Sequence, residues 1–148
     1  MRALIKYAPG EGNVSLGETP EPDCGGGKVK IEVRFCGVCG TDLHVLHDTF
    51  PNCPPVILGH EFSGVVVETG RGVTKVAAGE MVTVFPASAV ICGKCPYCRS
   101  GHFLFCPTRR GMGHGVNGAF TRYAAVREDQ VYNIPERPSF EEAALSEP

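Results

Sequence analysis

Four cysteines at close, regular spacing restrict the fold of this chain more than any other feature of its sequence. Cys92, Cys95, Cys98 and Cys106 follow the pattern C-x2-C-x2-C-x7-C in the stretch CGKCPYCRSGHFLFC. Zinc takes four ligands in a tetrahedron with Zn–S distances near ~2.3 Å, and cysteines on a tight loop can surround such an ion. Four thiolates complete the coordination shell, so this site is predicted to be structural. His102 lies inside the loop and is a rival ligand; the contrary interpretation is a set of buried free cysteines.

The length and the cysteine content together favour metal binding over disulfide formation. The chain has 148 residues, which suits one domain that folds without disulfides. The N-terminal MRALIKYAPG lacks a long apolar segment, so no secretory signal is predicted and a cytoplasmic location is expected. Clustered cysteines in a reducing compartment hold metal or do chemistry more often than they pair. The eight cysteines of this chain therefore favour metal binding or thiol chemistry over disulfide formation.

Charge and hydropathy argue against two classes of partner. Lys and Arg total 14 against 16 Asp and Glu, a formal charge of −2, and no basic stripe points to nucleic acid. The longest mostly apolar run, MVTVFPASAVI, is too short to span a bilayer, so no membrane association is predicted.

Hydrophobic periodicity predicts a mainly β fold. The segment KVKIEVRF alternates, with Val29, Ile31, Val33 and Phe35 on one face, as in a half-buried antiparallel strand. SGVVVETG, EMVTVF and AFTRYAAV are further predicted strands. Nineteen glycines and twelve prolines divide the chain into short pieces, which favours a small barrel or sandwich.

Two short helices are predicted within this β framework. One begins near Gly40 and continues through TDLHVL. The other is SFEEAAL, where Ser139 and Glu142 have the spacing of a capping box and Pro138 precedes the cap.

A second group of candidate ligands lies in CGVCGTDLH and GHE. Cys39 offers a thiolate and His60 an imidazole, and a site with three protein ligands and an open position is what catalysis requires. Cys36 and Cys39 also form C-x2-C, the spacing of a redox pair. Against the redox interpretation, no βαβ pattern surrounds the pair and His60 has no role in it. We prefer Cys39 as a zinc ligand and Cys36 as a small residue at a strand end.

The segment GHGVNG at 113–118 matches G-x-G-x-x-G literally. The dinucleotide fingerprint requires a buried strand before it and a helix after it. CPTRRGM precedes this segment and a predicted strand follows, so it is interpreted as a glycine-rich turn.

Taken together, the motifs resemble the zinc-dependent medium-chain alcohol and polyol dehydrogenases. The matching segments are GVCGTDLH, PPVILGHEFSGVVVETG, CGKCPYCRSGHFLFC, GAFTRYAAV and EAALSEP, in the order of that family. The resemblance implies a GroES-like β-barrel catalytic domain over 1–148, a zinc-stapled four-cysteine loop and short helices. It also implies one structural and one catalytic zinc, NAD or NADP as cofactor, and NAD(P)-linked oxidation of a small alcohol or polyol.

The resemblance also implies roles for individual residues around the second zinc. Cys39 and His60 would be catalytic zinc ligands, and Glu61 would ligate or stand just outside the shell. Glu147 occupies the position of the third protein ligand in the sorbitol- and threonine-type branch, so the choice between the two glutamates stays open. Asp42 would orient an imidazole or tune the metal.

Proton transfer would involve two further residues of the same motif. Thr41 and His44 resemble the hydroxyl and the imidazole through which the alcohol proton leaves. Cys24 and Cys53 are expected to have no functional role. His47 and His114 have no identifiable partner and are expected to be surface or loop residues.

In this family a Rossmann domain follows, and then a C-terminal segment that returns to the catalytic domain. Both would lie beyond Pro148, so the 148-residue chain is expected to bind zinc but not to oxidise alcohols, and the full-length protein is expected to form a homo-oligomer. Two alternatives remain, a non-catalytic zinc-stapled β domain used for assembly and a co-chaperonin-like barrel. Both predict one zinc or none.

Overall fold

A computed structural model of the chain describes residues 1–135 and 138–147. The fold is mainly β, as predicted, and its strands and helices are short. The strands are β1 Arg2–Lys6, β2 Val14–Glu18, β3 Lys28–Gly37, β4 Val56–Ile57, β5 Glu61–Thr69, β6 Met81–Val84, β7 Tyr123–Arg127 and β8 Val131–Asn133. The α-helices are α1 Gly40–Leu46, α2 Pro96–Arg99 and α3 Phe140–Ala144. None of the described helices is long and apolar enough to cross a membrane.

Two antiparallel sheets form the barrel-like body. The larger has the order β7-β3-β5-β6-β8 and the smaller the order β2-β1-β4. The sheets meet where Ala3 of β1 forms a bridge with Thr121, just before β7. The core lies against the larger sheet and includes Val29, Phe62 and Val82, which are all fully buried. The predicted mainly β fold with short helices is confirmed.

The alternation predicted for β3 holds for its first half and fails near its end. Val29 and Ile31 are fully buried, but Phe35 is 43% exposed. The pairing of β3 with β5 shifts register between Val33 and Phe35. One extra residue at such a bulge turns the following side chains to the other face. The prediction that Phe35 lies on the buried face is therefore wrong.

The strand β1 was not predicted, and its last residue is a buried lysine. Lys6 has no solvent exposure. Its ammonium donates to the carbonyl oxygens of Gly10 and Gly12, the latter at 2.8 Å. Hydrogen bonding of this kind is what makes burial of a charged group tolerable.

Both predicted helices are present, and α3 is fixed to the larger sheet. Glu142 N–H donates to Ser139 Oγ at 3.3 Å and Ser139 N–H donates to the Glu142 carboxylate at 2.9 Å, the predicted capping box. Ser63 Oγ of β5 donates to Phe140 O at 2.6 Å, and Thr83 Oγ1 of β6 donates to Ala143 O at 3.0 Å. These bonds bring the residues after α3 back across the sheet.

Candidate functional site

The four cysteines of the loop converge as their spacing predicts. The sulfur atoms of Cys92, Cys95, Cys98 and Cys106 all lie within 4.8 Å of one another. The Cys92 and Cys98 sulfurs are 3.9 Å apart. A tetrahedral zinc with Zn–S bonds of ~2.3 Å separates its sulfurs by roughly 3.8 Å, so the spacing of this cluster is close to what the ion requires.

Backbone amides support the thiolate form in this cluster. The N–H groups of Cys95 and Cys98 donate to the preceding sulfurs of Cys92 and Cys95 at 3.3 and 3.4 Å, and Cys92 N–H donates to Cys106 Sγ at 3.4 Å. The last of these bonds lowers the pKa of Cys106 to about 6, whereas burial raises the pKa of Cys98 to about 12. Four adjacent thiolates repel one another, so full ionisation of the cluster requires a cation.

The rival ligand in the loop lies apart from the four sulfurs. His102 is exposed, and its Nδ1 lies 3.0 Å from Ser100 Oγ. The cluster of candidate ligands among the described residues does not include it. This placement favours the four-cysteine interpretation.

A second cluster joins residues from two separate elements. Ligand atoms of Cys39, His60 and Glu61 lie within 4.8 Å of one another. Cys39 is the N-cap of α1, while His60 directly precedes β5 and Glu61 is the first residue of that strand. A thiolate, an imidazole and a carboxylate are donors that zinc accepts, and three of them leave a position for a further ligand. The donor set therefore fits a catalytic type of zinc site.

The carboxylate of Asp42 accepts hydrogen bonds from both backbone segments that carry the candidate ligands. Cys39 N–H donates to Asp42 Oδ2 at 3.0 Å, and Gly59 N–H donates to Oδ1 at 3.1 Å. The same Oδ1 is 3.6 Å from His60 Nδ1, a buried nitrogen without a hydrogen bond among the described residues. If the two side chains moved slightly closer, His60 Nδ1 would donate a hydrogen bond to Asp42, the kind of bond that orients a metal-binding imidazole.

Charge interactions in the cluster shift two pKa values away from their usual range. Burial raises the pKa of the Asp42 carboxyl, but the nearby His60 imidazole and the backbone N–H groups of Cys39 and Gly59 lower it overall. Burial lowers the pKa of His60, but Asp42 and Cys39 outweigh this effect and raise it to about 9. The pocket thus favours a positive charge at this point, which is what a bound dication would supply.

A cavity of about 180 Å³ opens beside the second cluster. It is lined by Cys39, Thr41, Phe50, His60, Pro86, Ala87, Arg109, Gly111, Met112, His114 and Glu147. Glu147 is half-buried there, at the point to which α3 returns the chain. Glu61 belongs to the three-donor cluster and Glu147 to the cavity wall, so both predicted glutamates lie near the candidate ligands.

The two residues predicted for proton transfer have different surroundings. Thr41 lines the cavity, with its Oγ1 3.7 Å from Cys39 Sγ. His44 is exposed and its Nδ1 lies 3.2 Å from Thr49 Oγ1. Among the hydrogen bonds of residues 1–135 and 138–147, none joins Thr41 directly to His44.

The redox interpretation of the C-x2-C pair loses support in the structure. Cys36 is the second-last residue of strand β3, and burial raises its pKa to about 12. A thiol with so high a pKa has almost no thiolate at neutral pH and is a poor nucleophile. Cys36 and Cys39 are both free thiols.

The glycine-rich segment is a turn, as predicted, and it packs against the residues that carry His60. A Cβ at Gly118 would lie 2.0 Å from Gly59 O, and one at Gly113 would lie 3.2 Å from His60 Nδ1. Gly59 has a φ of +84°, and a Cβ there would lie 2.7 Å from the Phe120 ring. Only glycine allows these backbones to approach so closely.

Two cavity residues escaped the sequence analysis. His114, expected to have no partner, is half-buried and its ring packs edge-on against Phe50 with centroids 5.0 Å apart. Arg109 lies on the same cavity wall. His114 lies within the glycine-rich segment and Arg109 shortly before it, and this position was the only signal in the sequence.

Comparisons with known proteins agree with this architecture. The sequence profile of the alcohol dehydrogenase GroES-like domain matches residues 25–136. The chain is 42% identical over 148 residues to a sorbitol dehydrogenase of Halalkalibacterium halodurans and 39% identical over 149 residues to a D-arabitol-phosphate dehydrogenase of Enterococcus avium. All of this chain is covered in both alignments, which span 43% and 42% of those relatives.

A solved structure shows the same fold. The chain superimposes with a TM-score of 0.86 on a cobalt- and zinc-bound thermostable alcohol dehydrogenase from Pyrobaculum aerophilum, at 34% sequence identity. The match covers 99% of this chain and 44% of that protein. The chain thus spans less than half the length of the proteins it matches.

Proposed function

Because the chain belongs to the alcohol dehydrogenase GroES-like domain family, we propose that it supplies the zinc-binding catalytic part of an NAD- or NADP-linked oxidation of an alcohol or polyol. The observation that carries this proposal is the convergence of Cys39, His60 and Glu61 within 4.8 Å beside an open cavity. The relatives named above act on sugar alcohols or their phosphates by name, which supports a polyol as the substrate class.

The two clusters are assigned different roles in this proposal. Cys92, Cys95, Cys98 and Cys106 would hold a structural zinc, because four thiolates leave no open position. Cys39 and His60 would hold the catalytic zinc, with Glu61 or Glu147 as the third protein ligand. When bound there, zinc supplies the Lewis acidity that favours the deprotonated form of an alcohol.

The remaining residues of the cavity would position the substrate and move its proton. Thr41 lies on the wall next to Cys39, where its hydroxyl can accept a hydrogen bond from the substrate hydroxyl. His44 is exposed, so its imidazole can pass a proton between the site and water. The half-buried ring of Phe50 and the buried side chain of Met112 form an apolar wall that excludes water from the substrate carbon.

The zinc content of the purified chain tests the proposal. We expect two zinc ions per chain, and His60→Ala should retain only the ion at the four cysteines because that cluster shares no ligand with His60. His47→Ala is the matched control, since His47 is exposed and the polar partner of its side chain among the described residues is Glu11. Metal analysis by mass spectrometry, with a thiol titration, gives the count.

A single zinc in the unaltered chain would contradict the catalytic assignment and favour the zinc-stapled assembly domain. Unchanged zinc content in the His60→Ala variant would also contradict it.

A further inference from the structure

Arg109 is a positive charge on the wall of the cavity, and it has no ion-pair partner among the residues that the structure describes. It lines the same cavity as Cys39, His60 and Glu147. None of the salt bridges found within 1–135 and 138–147 includes it, although Glu147 lines the same space. An arginine beside a cavity without a carboxylate partner leaves its charge available to a ligand.

The position of this side chain is set by the four-cysteine loop and by the cavity wall. Arg109 N–H donates to Cys106 O at 3.0 Å, so the residue follows directly from the last cysteine of the cluster. Its Nη1 donates to Ala87 O at 3.0 Å, and Ala87 also lines the cavity. Although Arg109 is exposed, this hydrogen bond anchors one end of its guanidinium at the cavity.

Most N–H donors of the Arg109 guanidinium have no hydrogen-bond acceptor among the described residues. Arginine has five N–H donors in a rigid planar fork. Within the described part of the chain, one hydrogen bond from the side chain is found, the bond to Ala87. The fork geometry matches the paired oxygens of a carboxylate or a phosphate, and such charge-assisted bonds are about twice as strong as neutral ones.

We propose that Arg109 binds an anionic group of the alcohol substrate, a phosphate monoester or a carboxylate, while the reacting hydroxyl faces Cys39 and His60. This assignment rests on the proposed function. It makes Arg109 a specificity-determining residue for anionic polyols, and it gives the four-cysteine loop a role in substrate choice.

Three six-carbon polyols that differ in their terminal groups test the assignment. Sorbitol is neutral, gluconate carries a carboxylate and sorbitol 6-phosphate carries a phosphate. Each is titrated calorimetrically into the zinc-loaded chain. We expect at least one of the anions to bind about tenfold more tightly than sorbitol, in line with a charge-assisted bidentate contact. The preferred anion identifies whether the partner group is a phosphate or a carboxylate.

Arg109→Met should bring the affinities for the anion and for sorbitol to within about twofold of each other, since the charge-assisted contact is absent. Arg110→Met is the matched control, because Arg110 is an exposed neighbour of the same charge that does not line the cavity. Its preference should equal that of the unaltered chain. If Arg109→Met does not fold, Arg109→Lys keeps the charge without the fork and should lose part of the preference.

The inference is wrong if no anion binds more tightly than sorbitol, or if Arg109→Met keeps the preference. It is also wrong if pyrophosphate binds in an Arg109-dependent way while both polyol anions do not, because the site would then serve the cofactor. Failure of the proposed function has a different signature, the absence of a second zinc from the unaltered chain.

Discussion

Asp42 is the residue on which the geometry of the second cluster depends most. Its carboxylate is 5% exposed and receives hydrogen bonds from Cys39 N–H and Gly59 N–H, one on each side of the cluster. It also faces His60 Nδ1 at 3.6 Å. A single side chain thus connects the N-terminus of α1 to the residues that lead into β5, and it faces the imidazole that would hold the metal.

Asp42→Asn should weaken zinc binding at the Cys39–His60 site by about 10- to 100-fold, because partners that orient a metal-binding histidine typically contribute this much. An asparagine amide can replace one acceptor oxygen but not the negative charge. Competition with a chelator of known affinity measures the change.

Asp23→Asn is the control for charge, since Asp23 is exposed and far in sequence from both clusters. The four-cysteine zinc should be unaffected in both variants. Equal affinity in Asp42→Asn and the unaltered chain would show that Asp42 does not support the metal.

At the scale of elements, the candidate site depends on two loops that pair like strands. Gly118 N–H donates to Ile57 O at 2.7 Å, Ala119 N–H to Gly59 O at 2.8 Å and Phe120 N–H to Leu58 O at 2.9 Å. This ladder fixes the backbone just before His60. It also places the glycine-rich turn, and therefore Arg109 and His114, on the opposite wall of the cavity.

Gly118→Ala should destabilise the fold by about 1–3 kcal/mol, because the added Cβ would lie 2.0 Å from Gly59 O and the two loops must separate. The displacement of Gly59 should also weaken zinc binding at the second cluster. Urea denaturation gives the stability, and chelator competition gives the zinc affinity. Gly25→Ala is the control, since nothing lies within 4 Å of a Cβ built there. Equal stability of the two variants would show that the loops tolerate separation.

For the whole molecule, features that depend on residues close in sequence were predicted better than features that depend on contacts between distant segments. The spacing of Cys92, Cys95, Cys98 and Cys106 predicted the cluster because all four ligands lie on one loop. The alternation of β3 predicted Val29 and Ile31 correctly, but a bulge near its end exposes Phe35. Arg109 and His114 could not be assigned to the cavity, since their position results from loops that meet only in the folded chain. Roles in catalysis stay predictions that rest on family resemblance.

The 148-residue chain should not bind NAD or NADP with micromolar affinity. Its G-x-G-x-x-G segment is a turn packed against His60 rather than a loop between a buried strand and a helix. Without a held nicotinamide the reaction would lack most of the ~7–11 kcal/mol that proximity supplies, so we also expect no turnover of alcohols. Titration with both dinucleotides, followed by a polyol oxidation assay, checks this. A micromolar Kd for either dinucleotide would contradict it.

The candidate ligands of one cluster come from two separate segments, whereas those of the other come from one loop. The stability of the fold should therefore depend on the concentration of free zinc. Cys39 belongs to the start of α1 and His60 to the start of β5, so that set exists only in folded molecules. A ligand that binds the native state alone stabilises it by RT ln(1 + [L]/Kd), about 2.7 kcal/mol at one hundred times Kd. The four cysteines share one loop, and an unfolded chain can keep metal there, which reduces the stabilisation from that ion. The melting temperature should therefore follow free zinc through the range that fills the Cys39–His60 site.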